Sequence, residues 1–237
     1  MLPRSMKNIP AANNSPLLIG VLDLQGGVQE HLDHLQRIGV PGRRVKEAGD
    51  VAGLAGLIIP GGETSCLQRL LHLSGLDDAL VREHGKGLKL WGTCAGAILL
   101  AREIEGESAC LGLIDITIQR NAFGSQMDSF TTEAIIVQVA PDAIPLTFIR
   151  APKIIRVGPD VEVLLRLDDY IAAAESEGVL TTVFHPELTP SLAFHRYFAK
   201  KCGFSLTDES EQMHIDASWT REGWTRMTQM SDVKAGQ

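Results

Sequence analysis

The feature that most constrains this chain is a handover, repeated three times in its first half, from a short apolar run to a helical pattern. Leu17–Leu24 (LLIGVLDL) reads as a buried strand and Val28–Ile38 as an amphipathic helix. Gly56–Ile59 is a second apolar run, ended by Pro60-Gly61-Gly62, and Thr64–Leu73 then places Leu67, Leu70 and Leu71 at helical spacing. Leu88–Trp91 is a third strand, and Ala97–Arg102 the helix after it. Apolar runs this short, without polar alternation, belong to strands buried on both faces. Their alternation with helices across short loops predicts parallel strands covered by helices on both sides.

The second half changes character. Ile114–Ile118, Ala134–Val139, Leu146–Ile149, Val161–Leu167, Ile171–Ala174 and Val179–Phe184 are strand candidates with little helix between them, and Ser191–Lys201 is a final helix. They read as an antiparallel extension of the sheet that returns to a central strand at Val179–Phe184. The expected fold is therefore α/β, with a largely parallel central sheet, helices on both faces and antiparallel additions. The expected organisation is a flexible head over 1–16, one domain over 17–204, and a polar tail over 205–237 that lacks periodicity and is expected to be disordered despite Trp219 and Trp224.

Composition narrows the class. Of 237 residues 44% are hydrophobic, enough for one substantial core without requiring a second domain. The net charge of −7, with no dense Lys/Arg run, argues against a nucleic-acid binder, whose affinity comes from clustered cations. Nothing approaches the length of a membrane span. Residues 1–15 contain Arg4 and Lys7 but no continuous apolar stretch, so they do not read as a secretory signal, and their lack of acids gives only a weak likeness to a transit peptide. The four cysteines, at 66, 94, 110 and 202, form no CxxC pair and suggest neither a zinc knuckle nor a disulfide framework. The expectation is a soluble cytoplasmic protein.

The sharpest chemical signal is Trp91-Gly92-Thr93-Cys94-Ala95-Gly96-Ala97. It matches the nucleophile-elbow pattern G-x-S-x-G with cysteine for serine, between a predicted strand and a predicted helix. A strand that turns sharply into a helix strains its apex residue and needs small neighbours. The apex side chain then projects into the cleft at the carboxyl edge of the sheet. The helix start offers unpaired N–H groups and a positive dipole end, which favour thiolate over thiol. A buried cysteine is ordinarily inert, and the elbow context is what favours a nucleophile.

A cysteine nucleophile needs a base and a group that orients the base. His185-Pro186-Glu187 follows the Val179–Phe184 run and offers both, because residues i and i+2 of a strand point to one side. Taken alone it would read as a surface histidine before a turn acid. H-x-E also opens the zinc deaminase signature, but the P-C-x-x-C it requires is absent. Donors for an oxyanion are expected from the backbone of Gly61 or Gly62, together with Ala95. Glu63 reads as an acid at a helix start or a substrate contact. His31 and His34, one turn apart on a helix with no third metal ligand in view, read as solvent-facing polar positions. His72, His84, His195 and His214 have no company that suggests chemistry. No metal or organic cofactor is expected.

Gly92–Gly96, Pro60–Glu63 and His185–Glu187 together resemble the class I (triad) glutamine amidotransferases. Longer stretches sharpen the likeness. Ile19–Gly26 (IGVLDLQG), Arg120–Gln126 (RNAFGSQ), Phe148–Pro152 (FIRAP) and Phe184–Leu188 (FHPEL) are similar to the glutaminase subunits of pyridoxal 5′-phosphate synthases, in order from about Leu17 to Cys202. The resemblance implies a three-layer α/β/α, flavodoxin-like fold and glutamine hydrolysis by Cys94, His185 and Glu187. It also implies delivery of ammonia to a barrel-shaped synthase subunit in a hetero-oligomer. By motif, Gly62, Glu63 and Thr64 would hold L-glutamine beside the oxyanion hole. Arg120, Ile149 and Arg150 would line the site or bind the substrate's polar end, and a guanidinium suits a free α-carboxylate. Gln25 would lie near the oxyanion loop and the partner interface.

Two departures stand out. Thr64-Ser65 replaces the usual Ser-Thr order, which keeps both hydroxyls. Asp23 brings a charge where a small residue is usual, close to the end of the first strand. Two other readings remain at this point. One is a stand-alone cysteine hydrolase of similar fold, such as a γ-glutamyl hydrolase or a peptidase, and the other is a non-catalytic subunit that only scaffolds a synthase.

Overall fold

The computed structural model describes residues 17–120 and 129–206. The expectations for the head and most of the tail, and the part of the Arg120–Gln126 motif beyond Arg120, lie outside the described residues.

The apolar runs become strands because their residues are sealed on both faces. β1 (Ile19–Leu22), β3 (Gly56–Ile59) and β12 (Val179–Thr182) are buried throughout, and β4 (Lys89–Thr93) is buried after its first residue. With β2 (Gly42–Val45) they pair in the order β2-β1-β3-β4-β12, and every pair is parallel. α1 (Val28–Arg37) carries the chain from β1 outward to β2. α2 (Thr64–Ser74) and α3 (Leu76–His84) carry it from β3 the other way, to β4. Right-handed crossovers in opposite directions place these helices on opposite faces. α1 packs with α5 (Ala193–Lys201), while α2 packs with α3 and with α4 (Ala95–Leu100). The direction of winding reverses between β1 and β3, and open α/β sheets bind ligands at the carboxyl edge beside such a switch.

The second half of the sheet continues β12-β11-β9-β6-β5, with β10 (Glu162–Leu167) pairing β11 off this path. β11 (Tyr170–Glu175) is antiparallel to β12, β10 and β9 (Lys153–Val157), and β9 is antiparallel to β6 (Ile114–Gln119). β5 (Ala101–Ile104) closes the edge parallel to β6. The sheet is thus mixed, with helices on both faces.

Several expectations need correction. The Ala134–Val139 and Leu146–Ile149 candidates do not extend the central sheet. They belong to β7 (Ser129–Ile136) and β8 (Ala140–Ile149), a separate two-stranded hairpin. Its exposure alternates along β7, the mark of a ribbon with one face packed and one wet. Phe130 stacks on Phe148, Phe148 packs on Phe184, and Phe184 packs on Phe194 of α5, so an aromatic ladder carries the hairpin's inner face into the core.

The helix expected at Ala97–Arg102 ends at Leu100. There Ala101 turns extended (φ −63°, ψ 141°) to pair with Ile114, so strand pairing overrides helix propensity. Four elements had no counterpart among the sequence expectations: β2, α3, β5 and β9. β2 (GRRV) is an edge strand whose two arginines are only partly covered, and its composition hides it. Among the described residues, no helix is long and apolar enough to cross a membrane.

Candidate active site

The carboxyl ends of β1, β3, β4 and β12 lie along one edge, and each delivers part of a single cluster. Thr93 pairs with Thr182, so the next residues on β4 and β12 leave the sheet side by side. Cys94 stands at the turn from β4 into α4 with φ 48° and ψ −107°, outside the regions an L-residue favours. Surroundings that allow no alternative hold it there. Its N–H donates to Thr182 O at 2.8 Å, and its carbonyl accepts from Ala97 and Ile98. A Cβ at Gly96 would sit 2.0 Å from the Ile59 carbonyl oxygen, so only glycine lets α4 approach β3 this closely. Ala95 is the first residue of α4, where a backbone N–H has no acceptor within the helix.

His185 follows β12, and its N–H donates to Thr147 O of β8 at 2.8 Å. Its Nδ1 lies 2.7 Å from Oε1 of Glu187, and both residues are buried. Cys94 interacts with the imidazole, and with Nδ1 taken by Glu187, Nε2 is the nitrogen left for the sulfur. Burial works against an imidazolium here, but the Glu187 carboxylate and then Cys94 outweigh it and hold the His185 pKa well above its usual value. Glu187 is fully buried. Burial raises its pKa, but the charges that His31 and then His185 carry once protonated in acid bring it down to about 2. A strained cysteine, an imidazole and a buried carboxylate therefore stand in sequence, with the ring oriented by the acid.

The Pro60–Glu63 loop lies over this sequence. A Cβ at Gly61 would come within 2.5 Å of His185 Cε1 and 3.2 Å of Cys94 Cβ, so a side chain there would collide with the site. The Gly61 N–H donates to Thr93 Oγ1 at 3.1 Å, which commits that donor to the protein in this conformation. Gly62 has φ 155°. Gln25 Oε1 accepts the Glu63 N–H at 2.8 Å, tying the loop after β1 to the loop after β3 across the switch point. Glu63 is the N-cap of α2. It accepts from Cys66 and Ser65, and these backbone donors hold its carboxyl below the usual range. Thr64 is buried at the first position of α2.

The remaining substrate-side candidates come from the second half of the molecule. Ile149 ends β8, and its carbonyl oxygen lies 3.9 Å from Cys94 Sγ. Arg150 follows in an exposed left-handed conformation, φ 43°. Arg120 follows β6 and pairs with Glu107 at 2.5 Å, while its charge also reaches Glu63. The structure thus brings Cys94, His185, Glu187, Gly61 and Ile149 into direct proximity, with Gln25 and Glu63 bracing the loop above them.

Residues 21–203 match the model of the SNO glutamine amidotransferase family. The chain belongs to that family. It is 57% identical over 209 residues to the pyridoxal 5′-phosphate synthase subunit PdxT of Syntrophus aciditrophicus, covering 88% of this chain and 93% of the relative. It is 47% identical over 184 residues to the subunit of the same name from Ruminiclostridium cellulolyticum, covering 77% of this chain and 97% of that one. A crystal structure of a glutamine amidotransferase superposes with a TM-score of 0.74 at 40% identity, over 78% of this chain and 99% of the other. The mixed sheet flanked by helices is thus the glutamine amidotransferase fold.

One group of residues near this amidotransferase site was misread from the sequence. His31 and His34 do not face solvent. Both are fully buried, as is His195 of α5: His31 lies beside Glu187, His31 and His195 pack on Trp91, and His34 stacks on His195. The signal was present in the spacing. Val28, His31, Leu35 and Ile38 form one helical stripe, and a histidine inside an apolar stripe faces the core. Among the described residues no group of three or more His, Cys, Asp or Glu side chains is disposed to hold a metal ion.

Proposed function

We propose that this chain is the glutaminase subunit of a pyridoxal 5′-phosphate synthase, that Cys94, His185 and Glu187 are its catalytic residues, and that it acts in the cytoplasm. The observation that carries the reading is the buried alignment of the Cys94 sulfur, the His185 ring and Glu187, with a 2.7 Å contact between ring and carboxylate. His185 takes the Cys94 proton, and Sγ attacks the side-chain amide carbon of L-glutamine. Backbone N–H groups of Gly61 or Gly62 and of Ala95 receive the oxyanion. The imidazolium returns the proton to the departing ammonia. Water then hydrolyses the γ-glutamyl thioester, releasing glutamate and the free thiol. Glu187 keeps the imidazole in the right tautomer throughout.

Gly62, Glu63 and Thr64 bind glutamine beside the oxyanion hole, while Arg120, Ile149 and Arg150 take its polar end. The partner is a barrel-shaped synthase subunit that consumes the ammonia, and Gln25 supports the oxyanion loop where that partner docks. The Gly61 N–H is donated to Thr93, so the loop must turn before that peptide can serve an oxyanion. Activity is accordingly expected to depend on the partner. The unit that carries this activity spans residues 17–204.

The test is glutamate release from glutamine with and without the cognate synthase subunit, in wild type and Cys94→Ala. Partner-stimulated release that falls by at least ~10⁴-fold in the variant, with the complex still assembled, is the expected outcome. A wild type that binds its partner and releases no glutamate would sink the reading and leave a scaffold.

A further inference from the structure

His31 is a buried imidazole that the mechanism above does not use, and its surroundings fix its chemistry. It lies on α1, one turn beyond Gly27, to whose carbonyl its own N–H is bonded at 3.1 Å. That first turn of α1 forms one wall of the Glu187 pocket. A Cβ at Gly27 would lie 3.0 Å from Glu187 Cγ and 3.2 Å from Oε1. His31 Nε2 faces Glu187 Oε2 at 3.5 Å, and both side chains are fully buried. Neither atom has a hydrogen-bond partner elsewhere, and at 3.5 Å the two face each other at ion-pair rather than hydrogen-bond distance. On the other side of the ring, His31 Nδ1 lies 2.9 Å from His195 Nε2.

Only one assignment of protons suits these contacts. A proton on His31 Nδ1 would leave the Nε2 lone pair pointing at a carboxylate oxygen in a dry pocket, which is repulsive. With the proton on Nε2, His31 donates toward Glu187, and Nδ1 accepts from the N–H at His195 Nε2. The unpartnered atom is then His195 Nδ1, a lone pair rather than a stranded N–H. The His34 ring stacks on His195 at 4.4 Å, and Trp91 meets His195 edge-on at 4.9 Å, so the ring that sets the tautomer is itself held.

We propose that His31 is a positioning residue of the glutaminase: as the neutral Nε2–H tautomer set by His195, it holds the second oxygen of Glu187 and so fixes the carboxylate that orients His185. The proposal rests on the Cys94, His185 and Glu187 reading given above. It extends that line of side chains to Cys94–His185–Glu187–His31–His195, drawn from the elbow, the end of β12, α1 and α5. Neutrality matters as much as the donor. Burial, countered by Glu187 and reinforced by His34 and His185, lowers the His31 pKa to about 4, and burial likewise lowers those of His34 and His195. The carboxylate thus faces an N–H donor without a second full cation, and its charge remains available to His185. The titratable groups bearing on Glu187 are His31 and His34 from α1 and His185, with His195 of α5 behind His31 and Cys94 beyond His185. Arg37 bears on His34.

The test uses the full chain with its synthase subunit and compares wild type, His31→Phe and His31→Gln. Phenylalanine keeps the ring shape and removes both nitrogens, while glutamine keeps a donor toward Glu187. Expected in His31→Phe is a kcat lower by about ten- to a hundredfold with KM within about twofold, the loss of one hydrogen bond to a charged group. The alkaline limb of its kcat profile moves to lower pH, because a less firmly held Glu187 supports the His185 imidazolium less well. His31→Gln recovers most of the rate and the limb. A folded His31→Phe with the wild-type rate and pH profile overturns the proposal.

Nitrogen-15 imidazole spectra of the full chain judge the tautomer without any catalytic readout, with His31 assigned by its loss in His31→Gln. A His31 that is Nε2–H and does not titrate between about pH 6 and 9 is expected, and an Nδ1–H ring or titration near the usual histidine value of about 6.5 overturns the proposal. Should Cys94→Ala retain activity, the triad reading fails, and that failure is distinct from a wrong His31 tautomer.

Discussion

The two halves of the central sheet differ in what their strand ends can do. In the β2-β1-β3-β4-β12 half every pair is parallel, so the ends of β1, β3, β4 and β12 lie along one edge. Gln25, the Pro60–Glu63 loop, Cys94 and His185 all emerge there. Along β12-β11-β9-β6, antiparallel pairing sends neighbouring ends to opposite edges, so this half cannot gather side chains in the same way. The contacts that the hairpin makes with Cys94 and His185 come from backbone instead. Thr147 O accepts the His185 N–H, and Ile149 O lies by the sulfur. Parallel strands bring the candidate side chains to one edge, and the antiparallel region supplies cover and registration.

The comparison breaks most sharply if Glu187 loses its charge. Glu187→Gln is expected to lower partner-stimulated kcat by about 10³–10⁴-fold, by analogy with the loss of a triad acid, while the complex still forms. The His185 imidazolium loses its main support, so the alkaline limb of the activity profile shifts to lower pH. A loss of less than about tenfold would mean that the parallel edge carries the chemistry without its carboxylate.

Severing the two regions gives the next largest effect. Phe148→Ala removes the rung between Phe130 and Phe184, and deletion of a buried phenylalanine costs about 3–5 kcal/mol. Chemical denaturation is expected to show that loss, with activity falling as Ile149 loses its place beside Cys94.

Acid separates the halves more gently, because the buried histidines all pack against the parallel half. The folded-state pKa of His31 is about 4, below the unfolded 6.5. Between these values the unfolded chain binds the extra proton, so stability falls as pH drops from about 6.5 to 4. Each such histidine contributes about 1.4 kcal/mol per pH unit in that window. His31→Phe is expected to remove about one proton from the slope, measured by unfolding at pH 7, 6 and 5. Glu187 behaves in the ordinary carboxylate direction, its contribution present above about 4.5 and lost as pH falls toward 2.

The smallest effect is expected on the far side of the sheet. Arg156 of β9 pairs with Asp115 and Glu103, but its side chain is 45% exposed. Arg156→Ala is expected to change stability by no more than about 1 kcal/mol and to leave glutamine turnover unchanged.

Legibility in the sequence follows the same division. Strands buried on both faces, β1, β3, β4 and β12, announce themselves as unbroken apolar runs, and Cys94 and His185 stand out as candidates because they follow such runs. β2 and β9 escaped because an edge strand or a half-wet strand can carry Arg and Lys, as GRRV and KIIRV do. β5 escaped because AREI continues a good helical pattern, and only pairing with β6 draws it extended. The separate hairpin escaped because sheet membership is decided by long-range packing of Phe130 and Phe148. His31 is the instructive miss. Residue type suggested a wet face, while its place in the Val28–Ile38 stripe pointed inward.

The pairing of Thr93 with Thr182 carries one last consequence. Thiol and imidazole belong to segments about ninety residues apart, yet their meeting depends on one alignment between two neighbouring strands. A slip of a single residue would shift one partner by about 3.3 Å and turn its alternate side chains to the other face. Turnover by this protein therefore works as a checksum on its folding: a chain that misaligns β12 could keep most of its secondary structure and would still be silent.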